Sequence, residues 1–315
     1  MSDNSNPTVY LGFITFGALT APYLSTFLES LAKQTFKDYK VVVYDNTVAK
    51  ETEHLKILPD TVDIYRSSEN IGFSRAYNKL ISEAINKGAK YFLVINPDTY
   101  LMPDALEKLV KSLEADETLA NACPKLLQWD FKNNQLTNII DSCGLVMRPG
   151  LAFSDLGQAE VDNGQYDKAS IIGPSGAAAL FRLSALEKVK EENAYFDDNF
   201  FMYKEDCDLA YRLNLAGFKS QLIPEAIVYH DRTSSGGNLW QKFVKRRSRS
   251  LDVRRWAFIN QHFLFFKYWS KQSFYSRLMI LVRAKIMFLN ALLFEQALLA
   301  SYKTIFKQAK KLKRY

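Results

Sequence analysis

The sequence predicts an α/β fold in which a mixed, mostly parallel central sheet is flanked by helices. Short apolar runs, several rich in β-branched residues, alternate with helix-length segments over the first ~120 residues, and the links between them are short. Such alternation favours parallel strands covered by helices. From residue 240 onward the pattern changes to long helices rich in Arg, Lys, Phe and Trp, which predicts a helical C-terminal extension.

The elements of the first half follow from apolar patterns and stop signals. Gly88 ends one helix, and Pro103 suits the first turn of the next. The predicted strands are residues 9–16, 40–44, 63–67 and 91–95, and the predicted helices are residues 21–34, 72–86 and 103–115.

The second half is less regular. Residues 125–170 are rich in Asn, Asp, Gly and Gln and give no clear assignment. Order returns with an apolar run at 177–181, a helix at 205–216 that Gly217 ends, and a strand at 221–229 that Pro224 interrupts.

Composition limits the class of protein. With 315 residues, 48% of them hydrophobic, the chain can bury a sizeable core. Three scattered cysteines have no metal-ligand spacing and argue against a disulfide framework or a zinc site, so a reducing cytoplasm is expected. The polar N-terminus has no apolar signal core, so we expect no secretion.

Charge is distributed unevenly along the chain. Residues 241–315 contain 18 Lys and Arg against two acids, a net charge of +16, whereas residues 1–240 carry 23 basic and 32 acidic residues, a net charge of −9. A basic, aromatic-rich tail attracts phosphate, whether on lipid headgroups or on nucleic acid. The acidic body does not suit a nucleic-acid binder, so an anionic membrane surface is the expected partner.

Two aspartates lie at predicted strand ends, Asp45 after the second strand and Asp98 after the strand at 91–95. In open α/β sheets, ligands bind outside the carboxyl ends of the strands. Asp98, stiffened by Pro97, suits a divalent cation that bridges two phosphates. A turn-forming or helix-capping aspartate is the alternative interpretation of Asp98.

Three further features are candidates for chemistry. Asp208 is spaced to pair with Arg212, which leaves Asp206 as a candidate base whose proton affinity the apolar residues 200–203 would raise. His230 follows a strand and on that evidence alone is more typical of a structural histidine; His54 and His262 lack any such context and are assigned no role. The turn 70–75 offers backbone N–H groups to phosphate but is neither a Walker loop nor a dinucleotide fingerprint.

Seven fragments together resemble the family 2 glycosyltransferases, and within them the bacterial rhamnosyltransferase-like branch. The resemblance covers roughly residues 8–269. In chain order the fragments are Val43-Tyr44-Asp45-Asn46, Asn70-Ile71-Gly72-Phe73, Asn96-Pro97-Asp98, Gly173-Pro174-Ser175-Gly176-Ala177, Phe196-Asp197-Asp198, the run from Phe201 to Leu209, and Pro224 with Val228-Tyr229-His230.

The resemblance implies a GT-A fold and a set of roles. Asp45 matches the acid that holds the pyrimidine ring, Asp98 the last acid of the metal motif, and Asp206 the catalytic base, with Glu205 beside it. His230 matches a histidine that in some relatives joins Asp98 on Mg²⁺ or Mn²⁺. The implied donor-binding set is completed by Asn70, Gly72, Arg75, Asn96 and Gly176. Many relatives have two or three acids where this chain has only Asp98 behind Asn96, which leaves the metal's identity open.

The resemblance also implies a domain plan. Residues 1–239 would form the catalytic domain, with a nucleotide-binding half at 8–120 and an acceptor half at 121–239, and residues 240–315 would form the basic helical extension. We expect the protein in the cytoplasm, peripheral to the inner face of the cell membrane. The C-terminal helices would contact the membrane, a second subunit or the chain's own catalytic domain.

The implied activity is inverting transfer of a sugar from a nucleotide-diphosphate donor to a glycan or lipid-linked glycan during cell-surface polysaccharide synthesis. Rhamnose from its dTDP donor is favoured by resemblance, while galactofuranose or another hexose from a UDP donor stays open. A sugar nucleotidyltransferase would need basic residues after the first strand, and residues 17–20 supply none. A non-catalytic nucleotide-sugar or membrane-binding protein is the remaining alternative.

Overall fold

The computed structural model describes residues 7–48, 52–231 and 250–315. In these residues a nine-stranded sheet lies at the centre, with a separate two-stranded sheet and a C-terminal group of helices. Two apolar clusters cover the faces of the large sheet, one including Phe13, Phe27 and Leu109, the other including Tyr77, Phe92 and Phe196. The α/β architecture expected from the sequence is confirmed.

The N-terminal half of the sheet is parallel, with strand order β3-β2-β1-β4. Its elements agree closely with those predicted from the sequence. The strands are β1 Val9–Thr15, β2 Tyr39–Asp45, β3 Asp63–Arg66 and β4 Tyr91–Ile95, and the helices are α1 Ala21–Ala32, α2 Gly72–Asn86 and α3 Ala105–Ala115.

The other half of the sheet is mixed. Its strands are β5 Thr99–Leu101, β6 Leu119–Asp130, β7 Gln135–Ser142, β10 Ala178–Arg182 and β11 Lys219–His230, while β8 Leu145–Arg148 and β9 Ala152–Asp155 form the small sheet. β10 runs antiparallel between β4 and β6, and β11 pairs parallel with β6. Much of the region that gave no assignment is therefore strand. β11 is continuous through Pro224, and its register shifts between Ile223 and Ile227, because proline cannot donate to the ladder.

The remaining helices are α4 Leu183–Val189, α5 Glu205–Leu215, α6 Leu251–Tyr268, α7 Phe274–Phe294 and α8 Ser301–Ala309, with short 3₁₀ segments at Gly17–Leu19, Glu53–Leu55, Trp269–Lys271 and Gln296–Leu298. Within the described ranges, no helix combines the length and apolarity needed to cross a membrane.

The C-terminal helices share a core with the region around α5. Phe200 and Cys207 are buried in one cluster with Phe263, Leu298 and Ile305. Lys267 of α6 is fully buried and lies 2.6 Å from Asp197 and 2.8 Å from Asp208 of α5. The proposed domain boundary at 239/240 lies outside the described residues and stays a prediction.

Candidate active site

The carboxyl ends of β2 and β4 lie on the same edge of the sheet, one on each side of β1. Asp45 is the last residue of β2, and Asp98 follows the end of β4 by three residues. The structure thus brings together, at one sheet edge, the two aspartates that the sequence places at strand ends.

Asp45 is fully buried within a polar network. Its Oδ1 accepts hydrogen bonds from the hydroxyls of Thr15 and Thr47 at 3.0 and 2.6 Å, and its Oδ2 lies 3.2 Å from Arg66 Nη2. Burial alone would raise the pKa of Asp45, but the hydrogen bonds, first those from Thr47 and Thr15, outweigh it and lower the pKa. His54, which sequence reasoning discounted, lies 3.1 Å from Oδ1. Asp45 is therefore a fixed anion at the base of the cleft.

The turn before α2 does not offer its N–H groups to a ligand. The amides of Ile71, Gly72 and Phe73 donate to Asn46 Oδ1, Asn70 Oδ1 and the Phe201 carbonyl oxygen. These three amides are thus bonded within the protein, and a phosphate contact through the rest of residues 70–75 stays a prediction. Gly72 has φ of +82°, and a Cβ there would lie 2.5 Å from the Phe201 carbonyl oxygen, so this position requires glycine.

Donor binding by Asn70, Gly72 and Arg75 stays a prediction, in which Asn70 and Arg75 have side chains to offer and Gly72 only backbone groups. Arg75 is exposed on the first turn of α2. Asn96 is half-buried and its amide donates to the Ala177 carbonyl oxygen at 2.9 Å, which joins the end of β4 to the segment before β10.

Asp98, His230 and Asp141 form a linear array across β5, β11 and β7. His230, at the end of β11, places Nε2 3.5 Å from Asp98 Oδ1 and Nδ1 2.8 Å from Asp141 Oδ2. The pairing of β11 with β5 aligns His230 with Thr99, next to Asp98. Burial alone would lower the pKa of His230, but the negative charges of Asp98 and Asp141 outweigh it and raise the pKa to about 10.

The array fits a divalent metal ion as a partial ligand set. Asp98 Oδ1 is buried and forms no hydrogen bond with the described residues, and Nε2 of His230 points toward it. Asp141 on Nδ1 would fix the ring orientation, as carboxylates do for metal-bound histidines. No group of three or more His, Cys, Asp or Glu side chains in the described part of the chain forms a complete metal site. Donor phosphate oxygens and water would supply the remaining ligands.

Asp206 lies on the first turn of α5, across from the strand ends. Its Oδ2 accepts a hydrogen bond from the amide of Gly176 at 3.2 Å, and its Oδ1 accepts one from the amide of Cys207 at 2.7 Å. The next peptide along, that of Ala177, is bonded to Asn96. The Gly176–Ala177 segment therefore has Asp206 on one side and the residues leading to Asp98 on the other.

The backbone before α5 is unusual. Tyr203 and Lys204 both have φ near +70°, at 71° and 72°, a region that side-chain-bearing residues seldom adopt. Asn260 of α6 donates to the carbonyl oxygens of Met202 and Tyr203 at 2.9 and 2.7 Å. A residue of the C-terminal helices thus stabilises the strained turn that leads into Asp206.

The site belongs to a recognised class of enzyme. The family model described as glycosyl transferase family 2 matches residues 13–190, more than half of the chain. This chain belongs to glycosyltransferase family 2. Two curated relatives, both named N-acetylglucosaminyl-diphospho-decaprenol L-rhamnosyltransferase and both from Mycobacterium tuberculosis, are 26% identical over 231 residues, or 69% of this chain and 74% of theirs.

Solved structures confirm the fold of this glycosyltransferase. The mannosyltransferase PcManGT from Pyrobaculum calidifontis, in complex with GDP-Man and Mn²⁺, matches with a TM-score of 0.51 and 15% identity over 99% of this chain and 77% of that one. GalNAc-T7 with UDP, GalNAc and Mn²⁺ matches at 0.55 and 13% identity over 85% of this chain, and S. aureus TarS at 0.51 and 12% identity over 83%. This chain spans 52% of that GalNAc-T7 chain and 44% of TarS.

The burial expected for Asp206 falls instead on its neighbour in this glycosyltransferase. Glu205 is 5% exposed, and its pKa is raised well above the usual range by burial and by the charge of Asp206. Asp206 is only half-buried, so its carboxylate can meet an incoming group. The apolar residues before α5 pack elsewhere, since Phe200 lies in the cluster with Cys207 and Phe263, and Phe201 stacks on Trp256.

Some contributing residues give no local signal in the sequence. They are Asp141, which strand pairing brings to His230; His54, which a loop brings to Asp45; and Asn260, which helix packing brings to Tyr203. No sequence motif marks these contacts. The predicted Asp208–Arg212 pair is confirmed at 2.9 Å.

Proposed function

We propose that this family 2 glycosyltransferase transfers a sugar with inversion of the anomeric centre, assisted by a divalent metal ion. The observation that carries the proposal is the placement of Asp206 and Asp98 about the Gly176–Ala177 segment. In this arrangement a base and a carboxylate that would hold a metal ion lie on either side of that segment, near the carboxyl ends of the strands, where α/β sheets bind ligands.

Asp206 acts as the general base. The two amide donors fix its carboxylate, and half-burial leaves room for an acceptor hydroxyl to approach it. The hydroxyl loses its proton to Asp206 and its oxygen forms the bond to the anomeric carbon, while the bond to the nucleotide diphosphate breaks on the opposite face. A single displacement of this kind inverts the centre, and general-base help is typically worth ~10²–10⁴-fold in rate.

The donor lies along the strand ends. Asp45 faces the pyrimidine at the end of β2, and Asn70, Gly72, Arg75 and Asn96 contribute to the sugar-nucleotide pocket. Asp98 and His230 would hold Mg²⁺ or Mn²⁺, and the ion would supply positive charge to neutralise the departing diphosphate. Burial and the charge of Asp206 raise the pKa of Glu205, which disfavours a second negative charge beside Asp206.

We propose rhamnose from dTDP-rhamnose as the donor, with a lipid-linked glycan of a cell-surface polysaccharide as the acceptor. The two curated relatives support both parts, since their name specifies rhamnosyl transfer to a diphospho-polyprenol-linked N-acetylglucosamine. A membrane-borne acceptor also gives the basic C-terminal region a purpose, and places the enzyme at the inner face of the cell membrane.

Transfer to a synthetic acceptor tests the proposal. The purified chain is incubated with Mg²⁺ or Mn²⁺, a short-chain N-acetylglucosaminyl-diphospho-lipid and either dTDP-rhamnose or UDP-linked hexoses, and NMR assigns the anomeric configuration of the product. We expect a rhamnosyl product with inverted anomeric configuration. Asp206→Asn should lower the rate of transfer by ~10²-fold or more without loss of donor binding. A product with retained anomeric configuration, or near-parental turnover by Asp206→Asn, would contradict the mechanism. If a product forms only with a UDP-hexose, dTDP-rhamnose is not the donor.

A further inference from the structure

The side of α7 that faces away from the protein is apolar. Six of its side chains, Phe274, Leu278, Leu281, Ile286, Leu289 and Leu293, are between 41% and 86% exposed. They extend along a helix of 21 residues, about 31 Å long. We refer to these six residues as the outer face of α7.

The polar residues of α7 face the protein instead. Ser276 Oγ accepts a hydrogen bond from the Gly150 amide at 2.9 Å, and Arg283 Nη1 donates to the Gly150 carbonyl oxygen at 3.0 Å. Asn290 donates to the buried Glu295. Lys285, in contrast, is exposed and, four residues from both Leu281 and Leu289, lies on the outer face itself. The sequence distributes polar residues around the whole helical wheel, but the fold takes most of them inward.

An apolar surface of this length is the mark of an interaction site. Soluble proteins seldom expose a continuous apolar patch of more than a few hundred Å², and larger ones are commonly sites of contact with a protein or a membrane. The hydrogen bonds of Ser276 and Arg283 fix the rotation of α7 about its axis, so the outer face cannot turn inward without breaking them.

We propose that the outer face of α7 inserts into the headgroup–acyl boundary of an anionic bilayer, with the helix lying parallel to the membrane plane. Residues 274–315 contain nine Lys and Arg and a single acid, Glu295, which is buried against Arg254. Among the basic residues, Lys303, Lys307 and Lys310 are exposed. An apolar face with cationic neighbours is the arrangement by which helices lie on anionic membranes.

Charge favours lipid over a second copy of the chain. Two copies that met through this face about a twofold axis would bring their basic regions together, with no exposed acid in residues 274–315 to compensate. Anionic headgroups, in contrast, gain from each exposed cation. Trp269, in the 3₁₀ segment before α7, and Tyr275, in the first turn of α7, are 38% and 60% exposed, and such aromatic side chains favour the membrane interface.

A cavity next to the outer face suits the same partner. It has a volume of about 460 Å³ and is lined mainly by apolar side chains, including Phe266, Trp269 and Leu281, with Arg314 among its lining residues. A lipid hydrocarbon chain could occupy it with its phosphate at Arg314. This inference rests on the proposed function only for its purpose, delivery of the active site to a lipid-linked acceptor; the docking itself requires no catalysis.

The test uses the full chain, because truncation would remove Leu298 and Ile305 from the core. Ile286→Glu/Leu293→Glu changes two exposed positions, and Leu136→Glu/Val161→Glu is the matched control, at 44% and 49% exposure in the catalytic body. Co-sedimentation with phosphatidylglycerol vesicles should weaken at least about tenfold in the first variant and remain parental in the second. Vesicles of pure phosphatidylcholine should bind the parent less.

A fluorescent label reports insertion directly. All three native cysteines are buried, so an introduced cysteine can be labelled selectively. A nitrobenzoxadiazole probe on Ile286→Cys should shift to the blue on anionic vesicles, whereas the same probe on Val161→Cys should not.

Two results would overturn the inference. One is a parent protein that does not bind anionic vesicles. If light scattering also shows that the parent is a dimer and that Ile286→Glu/Leu293→Glu dissociates it, the partner of the outer face is a second copy of the chain. The other is equal vesicle binding by both double variants. Donor turnover with a water-soluble acceptor is measured in parallel. Its absence in a parent that binds vesicles would reject the proposed function and leave the docking intact.

Discussion

Lys267→Met removes the cation that links α6 to α5. The Lys267 side chain is fully buried, 2.8 Å from Asp208 and 2.6 Å from Asp197, which are 0% and 4% exposed at their side chains. At 2.8 Å and an effective dielectric constant of ~20, one such pair interacts by about 6 kcal/mol before desolvation of the lysine is subtracted. Stranding the carboxylates should therefore lower the free energy of unfolding by roughly 3–5 kcal/mol.

The effect should depend on pH. Burial would raise the pKa of Asp208, but the charges of Lys267 and then Arg212 lower it. In the parent, ionised Asp208 therefore contributes to the free energy of unfolding above pH ~4, and this contribution is lost as the pH falls through the folded pKa. Without Lys267 the pKa of Asp208 rises, and its carboxyl group protonates at higher pH. The stability difference between variant and parent should thus be larger at pH 7.5 than at pH 4.5.

Urea unfolding followed by circular dichroism measures both effects. Lys303→Met, at an exposed lysine of α8, is the matched control and should change stability by less than ~0.5 kcal/mol. Lys267→Met/Asp208→Asn should recover part of the loss, since it also removes one stranded charge. A cost below ~1 kcal/mol for Lys267→Met, or a difference that grows as pH falls, would refute the claim that this ion cluster attaches α6 to the catalytic body.

Two further perturbations address the donor site and its support. Asp98→Ala should abolish metal-dependent donor binding and His230→Ala should weaken it, as measured by calorimetry with Mn²⁺ and with EDTA; donor affinity unaffected by EDTA in the parent would contradict the metal role. Gly72→Ala should cost roughly 2–4 kcal/mol in urea unfolding, because φ is +82° and the new Cβ meets the Phe201 carbonyl oxygen. Gly176→Ala, whose Cβ would make an ordinary 3.5 Å contact with Asp206, should cost far less, and equal losses would rule out strain at Gly72.

The first half of the fold was predictable from the sequence because its elements are local. α2 and β4 have the predicted bounds, since apolar periodicity, Gly88 and the β-branched and aromatic runs act within a few residues. The strand-end positions of Asp45 and Asp98 follow from the same patterns. The mixed half was not predictable in this way, because β6, β7 and β10 depend on pairings between distant segments.

The features of the candidate site fall into the same two groups, those with a local signal in the sequence and those set by distant residues. Asp45, Asp98, Asp206 and His230 were identifiable because each lies beside a strand end or helix start, and their fragments occur in a recognisable order. That Glu205 rather than Asp206 is buried, and that Asp141 orients His230, could not be read from the chain, because burial and hydrogen bonding are set by residues distant in sequence.

The C-terminal helix α7 shows the division most clearly. The sequence by itself determined that the C-terminal region is basic and helical. Only the tertiary structure decided which side of α7 faces solvent, because Gly150 supplies an amide and a carbonyl oxygen that draw Ser276 and Arg283 inward. Composition fixes how much apolar surface a helix carries, whereas its rotation against the core decides whether that surface is hidden or presented.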